Sequence, residues 1–277
     1  MAFVIDIHTH AFPDHIALKA IPALEQEGGI KAYLDGTVAA LLDSMDRSGI
    51  QQSVLCSIAT KPEQFDPILQ WSKTIRSERI EPFPSLHPKD PQLLEHLEMM
   101  HAEGFKGVKM HSYYQDYFLD DARLFPLYER MSQLGMILVI HAGYDIAFSR
   151  VRRADPGRIV EVCRQFPDLK LIATHLGGWD EWSDVRDLLA GKPIYMEISF
   201  ALDFLDQKRI REIMLAHPAE YLLFGTDSPW TDQATTLKLL TKLKLPNTLF
   251  EQIISGNARR LLGIPAVEPD SGQSSAP

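Results

Sequence analysis

Phe3-Val4-Ile5-Asp6-Ile7-His8-Thr9-His10 is a run of β-formers that ends in two histidines one residue apart. Successive side chains on a strand point to opposite faces, so His8 and His10 share one face, about 7 Å apart along the strand. Two imidazoles that close can grip one metal ion. His-Xaa-His alone is a weak signal, because strand histidines also serve packing and solvation. Its weight here comes from its place at the polar end of an apolar strand and from how later strands end.

Outward from this stretch the chain alternates strand and helix. The hydrophobic spacing predicts helices over 16–26 and 38–48, the second stopping at Gly49, then a strand over 50–58. A helix over 67–77 leads to a proline-interrupted strand over 80–86. Helix 91–102 precedes strand 108–111, and helix 121–134 precedes strand 136–141. Then come helix 156–166, strand 169–175, helix 182–190, strand 194–199, helix 204–216 and strand 221–227, with closing helices over 234–243 and 249–261. The central strands are apolar on both faces, as strands of a parallel sheet covered on both sides are. Eight such units over about 250 residues predict an α/β fold, a closed (β/α)8 TIM barrel in one domain over residues 1–264. Residues 265–277, poor in apolar side chains and rich in Ser, Pro and Gly, are expected to form a disordered tail.

Composition narrows the function. A net charge of −9 argues against a general nucleic-acid or anionic-membrane binder. No apolar stretch approaches the length of a membrane span and no signal-peptide pattern opens the chain, so a cytoplasmic protein is expected. Cys56 and Cys163 form no metal-binding or disulfide pattern and read as buried free thiols. No glycine-rich phosphate loop is present, which argues against a nucleotide cofactor. A homodimer is the base-rate expectation for assembly.

In a (β/α)8 barrel every strand's carboxyl end lies at one mouth, where barrel enzymes place their sites. His8 and His10 end the first strand, Lys109 and His111 the fourth, His141 the fifth, His175 the sixth and Asp227 the eighth. Nitrogen and oxygen donors converging in this way suit a divalent ion such as zinc, manganese or iron. His87, near the end of the third strand, is a further candidate. His15, His96, His101 and His217 fall in loops or helices and read as solvated or capping residues.

The motifs Asp6-Ile7-His8-Thr9-His10, Gly107-Val108-Lys109-Met110-His111, His141-Ala142-Gly143-Tyr144-Asp145, Thr174-His175-Leu176-Gly177-Gly178, Phe224-Gly225-Thr226-Asp227-Ser228-Pro229 and Ser255-Gly256-Asn257-Ala258-Arg259-Arg260-Leu261-Leu262 resemble the amidohydrolase superfamily. More narrowly, they resemble its amidohydrolase-related branch, which includes the aminocarboxymuconate-semialdehyde decarboxylase-like enzymes. The resemblance runs from about residue 4 to residue 264. It implies metal-site roles for His8, His10, His141, His175 and Asp227. It leaves Lys109 open: a carboxylated bridge between two ions, as in binuclear members such as dihydroorotase and phosphotriesterase, or an anion-binding or paired lysine at a single-ion site.

The implied activity is metal-dependent hydrolysis of a C–N or C–O bond in a small amide, lactam or lactone. Asp227 would take and return the proton, and at a single-ion site His175 or His141 would orient the carbonyl. The same constellation serves nonoxidative decarboxylation of a small carboxylate, the alternative. His111, Tyr144, Trp230 and Arg150 are the candidate substrate contacts, with Arg150, Arg152 and Arg153 either holding a carboxylate or forming a solvated run. Asp145 and Trp179 also fall at the mouth, and Glu197 is the candidate support for the ligands.

Overall fold

The computed structural model describes residues 3–265. Eight parallel strands are found among them: β1 (Ile5–Thr9), β2 (Gln52–Cys56), β3 (Ile80–Phe83), β4 (Gly107–Met110), β5 (Ile137–Ile140), β6 (Lys170–Ala173), β7 (Tyr195–Glu197) and β8 (Leu222–Leu223). Ladders join β1–β2–β3 and β4 through β8 in sequence order. Two single bridges close the ring, Ser85 with Lys109 between β3 and β4 and Thr9 with Ser228 between β1 and β8. The expected TIM barrel is the fold.

Helices α1 (Asp14–Gly28), α2 (Val38–Ser48), α3 (Phe65–Ile75), α4 (Leu93–Ala102), α5 (Phe125–Leu134) and α6 (Pro156–Gln165) fall close to their predicted places. Capping explains several boundaries. Thr37 accepts from the Ala40 amide to start α2, and Gly49, at φ 68°, ends it in the left-handed region that glycine enters without strain.

Several predicted elements differ. The eighth strand, expected over 221–227, spans only Leu222–Leu223. The helix expected over 182–190 is one turn, α7 (Trp182–Asp184), followed by a π-turn over Val185–Leu189. The helix expected over 204–216 is two, α8 (Ala201–Phe204) and α9 (Gln207–Ala216), because Asp206 caps the Arg209 amide and restarts the helix. After α10 (Gln233–Lys242), the last predicted helix breaks into α11 (Asn247–Glu251), a π-turn over Gln252–Gly256 and α12 (Asn257–Leu262). The strand expected over 80–86 stops at Phe83, where Pro84 brings no amide to continue the ladder. The expected tail lies outside the described residues, apart from Pro265.

A buried cluster fills the barrel from six strands, with Ile5, Ile7, Val54, Cys56, Phe83, Ile137, Val139, Ile172 and Leu223. A larger one lies between the sheet and the helices. One irregularity positions the site. Asp6 pairs with Ser53 but Thr9 with Leu55, so β1 advances three residues while β2 advances two. That bulge resets the alternation. It lets Ile5 and Ile7 pack in the barrel core and still turns His8 and His10 inward at the mouth, where strict alternation would set them on the opposite face. Among the described residues no helix is long and apolar enough to cross a membrane.

Candidate metal centre and active-site cavity

At the carboxyl ends of the strands a cavity of about 170 Å³ opens. Its inner end is built from β1 and β8. His8 Nε2, His10 Nε2 and Asp227 Oδ1 lie within 3.0 to 3.3 Å of one another. Each imidazole is fixed by its outer nitrogen. His10 Nδ1 donates to the Cys56 carbonyl at 2.7 Å, and His8 Nδ1 donates to Glu197 Oε1 at 3.1 Å. Both Nε2 atoms therefore carry lone pairs turned toward a carboxylate.

Beside this triad His141 and His175 repeat the arrangement. His141 Nε2 donates to the Tyr144 carbonyl at 2.9 Å. Ser199 Oγ gives its proton to Glu197 and so accepts from His175 Nδ1 at 3.0 Å. The remaining nitrogens, His141 Nδ1 and His175 Nε2, face each other at 3.1 Å as two acceptors. Acceptors set against acceptors in a buried site repel unless a cation lies among them. The donor set thus fits one or two divalent ions, with borderline imidazole nitrogens and one hard carboxylate oxygen.

Electrostatics point the same way. Burial lowers the pKa of His8 and His175 well below the ordinary histidine range, and that of His141 in the same direction. These rings are neutral, as ligands must be. Burial alone would raise the Asp227 carboxyl, yet it is held below its ordinary value, with the Lys109 ammonium among the groups that favour its charged form. Lys109 is buried, its Nζ lies 3.0 Å from His8 Nε2, and burial lowers its pKa. Among the described residues it has no carboxylate partner within 4 Å.

The backbone at the mouth is held in uncommon conformations. His175 (φ 59°), Phe200 (φ 58°) and Asp227 (φ 59°) occupy the left-handed region that side-chain-bearing residues rarely adopt, and all three line the cavity. Asp227 is pinned there by its amide, which donates to the His8 carbonyl at 2.7 Å. Asp6 supports the same joint. Its buried carboxylate takes the Thr226 amide and hydroxyl, Gln233 Nε2 and the His8 amide. Glu197, fully buried, binds the His175 and Ser199 amides besides His8. Only glycine fits at 225, since a methyl group there would lie 2.3 Å from Glu197 Oε2.

His111 lines the cavity but is occupied differently. Its ring stacks on His141 at 4.2 Å, and its Nε2 lies 3.3 Å from Asp145 Oδ2. Burial would raise the Asp145 carboxyl, yet the hydrogen bond with His111, joined by the Ala147 amide, leaves it well below the carboxylate range. The group His111, His141 and Asp145 is compact enough to hold an ion. However, His141 Nε2 is spent on Tyr144, so the group reads as a hydrogen-bonded wall.

Of the sequence-predicted residues, His8, His10, Lys109, His111, His141, Tyr144, His175, Asp227 and Trp230 all line this cavity. Arg150 does not. It is exposed, pairs with Asp180 at 2.5 Å and stacks on the Tyr144 ring. Arg152 is taken by Glu181 and Asp184, and Arg153 by Asp116. None of the three guanidinium groups lines the cavity. His87 accepts from the Lys89 amide and lies off the cavity wall. His217, expected to be solvated or capping, is buried and donates Nε2–H to the Ile194 carbonyl. Asp6 went unassigned from sequence, although a carboxylate inside an apolar strand was a readable signal.

The family model Amidohydro_2, described as Amidohydrolase, matches residues 5–264. The chain belongs to the amidohydrolase family. Solved structures of similar fold include an uncharacterized TIM-barrel protein of Bordetella bronchiseptica, at 17% identity and TM-score 0.75, covering 94% of this chain and 98% of that one. The 5-carboxyvanillate decarboxylase of Sphingomonas paucimobilis is similar at 14% identity and TM-score 0.68, covering 96% and 100%. A dihydroxybenzoic acid decarboxylase of Polaromonas with bound manganese is similar at 14% identity and TM-score 0.71, covering 95% and 98%. No curated protein matches the sequence. This amidohydrolase family member has the barrel and the converging His and Asp donors of a metal-dependent enzyme.

Proposed function

We propose that the protein is a metal-dependent hydrolase of a small neutral amide, lactam or lactone. The observation that carries this reading is the charge inventory of the cavity. Lys109 is the single lysine or arginine among the lining residues, and the nearby loop arginines are spent on acids outside it. A carboxylate substrate would meet no guanidinium, whereas an uncharged carbonyl needs none.

His8, His10 and Asp227 would hold a first-row divalent ion, zinc in the first instance, and His141 with His175 a second. Such an ion supplies Lewis acidity, acidifying water and polarising a carbonyl. Asp227, ionised and acceptor-only, takes a proton from the attacking water at Oδ2, the oxygen not turned to His8 and His10, and delivers it to the leaving nitrogen or oxygen. His175, with its Nδ1–H given to Ser199, offers the cavity only its Nε2 lone pair, which is a ligand's role. Glu197 and the Cys56 carbonyl keep His8 and His10 in the required tautomers. A Lys109 carboxylated by carbon dioxide would bridge two ions; as a free amine it would hold the carbonyl oxygen.

Nonoxidative decarboxylation is the second reading. Tyr114, Trp179, Phe200 and Trp230 give the cavity aromatic walls that suit a ring, and two of the similar folds are named decarboxylases. A panel of neutral lactones and amides, followed by acid release, run beside hydroxybenzoates followed by carbon dioxide release, separates the two. Acid release supports hydrolysis. Carbon dioxide release without it replaces this reading by the second.

A further inference from the structure

The cavity has two chemically distinct ends. Every charged or imidazole side chain on its wall belongs to the donor set already described or to the His111–Asp145 pair. The rest of the wall is dominated by apolar groups, including Phe12, Leu24, Ile30 and Ile146. These come from two places, the long connection after β1 and the loop after β5. In an eight-stranded ring β1 and β5 stand opposite each other, so a contact between their loops crosses the mouth.

The two loops approach to within about a methyl group of each other. A methyl group placed on Gly28, at the end of α1, would lie 3.4 Å from Ile146 Cγ2 and 3.4 Å from Ile30 Cγ1. The β1 side of this roof is anchored twice. The Phe12 amide donates to the Gly36 carbonyl at 2.8 Å, and the Tyr33 amide donates to the Pro229 carbonyl at 2.7 Å. Ile146 is 41% exposed, so its side chain closes the cavity from the solvent side.

We infer that the substrate carries an uncharged apolar tail, seated under the roof that Gly28, Ile30 and Ile146 build across the mouth, with its reacting carbonyl at the polar end. Neither end suits the other's chemistry. A charged tail would be desolvated beside Leu24, Ile30 and Ile146 with nothing to pair with. A hydrocarbon tail gains from every methylene it buries. Gly28 sets the depth of this pocket, because any side chain there would enter the space between Ile30 and Ile146.

The inference rests on the hydrolase reading for the substrate's reacting group, and two measurements on the full chain separate the two claims. The first is acid release from γ-lactones whose alkyl substituent grows from methyl to hexyl. The second is calorimetric titration with straight-chain methyl ketones from butanone to 2-nonanone, which carry no bond that hydrolysis breaks and so report binding without turnover. A tail pocket makes kcat/KM rise and Kd tighten by about fourfold per added methylene until the space is full. Gly28→Leu, which fills the pocket, and Ile146→Asp, which charges its roof at a half-exposed position, should each flatten both series. Thermal unfolding checks that each variant is folded. Acid release with no dependence on chain length overturns the inference and leaves the hydrolase reading standing. No acid release from any lactone or amide, with ketone binding that still tightens along the series, overturns the hydrolase reading and leaves the pocket. Flat series in both measurements overturn the tail pocket whatever the chemistry.

Discussion

Two groups in this barrel have the same composition, two histidines and an aspartate, and different fates. In His8–His10–Asp227 the outer ring nitrogens are tied to Glu197 and the Cys56 carbonyl, so two lone pairs and a carboxylate oxygen point at one spot. In His111–His141–Asp145 the His141 nitrogen on the side of the carboxylate already serves another partner, since His141 Nε2 donates to Tyr144. Ligand capacity depends on which nitrogen the surroundings leave free. Composition and proximity do not decide it.

The largest expected difference is in turnover. Asp227→Asn keeps the shape but loses the proton acceptor, and should lower kcat/KM by about 10³-fold or more. Asp145→Asn, which only loosens the His111 wall, should cost about tenfold or less by the same scale. Equal losses in steady-state kinetics would break the distinction drawn above.

Metal content comes next. Elemental analysis after dialysis should find His10→Ala depleted of bound ion and His111→Ala as loaded as the parent. Depletion in His111→Ala would make it a ligand.

A subtler test reaches the residues behind the ligands. Glu197→Gln should weaken metal binding by about 10- to 100-fold in a chelator competition, the usual cost of losing an outer hydrogen-bond partner. Gly225→Ala should reproduce the defect, because its methyl group would displace the Glu197 carboxylate. If chelator competition is unchanged in both, Glu197 does not set the tautomer of His8.

The smallest effect calibrates histidine burial away from both groups. Burial lowers the pKa of His217 to about 4, below its ordinary 6.5. The unfolded chain then binds the extra proton first. His217 contributes its full stability above pH 6.5 and loses it as pH falls toward 4, by up to about 1.4 kcal/mol per pH unit. Denaturant unfolding of His217→Gln between those pH values should show a shallower acid limb than the parent. An unchanged limb would mean that His217 is not buried neutral.

The amino-acid sequence by itself determined the barrel and the donor list. Alternating apolar strands and amphipathic helices leave few folds able to bury both, and strand ends share a mouth by topology. His8, His10, Lys109, His141, His175 and Asp227 were therefore legible as a cluster before any coordinates. Tertiary structure decided what a linear pattern does not encode. The β1 bulge, which turns His8 inward beside Ile7, arises from register against β2. The tautomers depend on Glu197 and Ser199, far along the chain from His8. Arg150, attractive in sequence as an anion holder, was claimed by Asp180, a residue thirty positions away. The close approach of Gly28 and Ile146 exists only because the ring sets β1 opposite β5. Periodicity is a local property of the chain, whereas pairing, register and which atom of a side chain stays free are settled by neighbours distant in sequence.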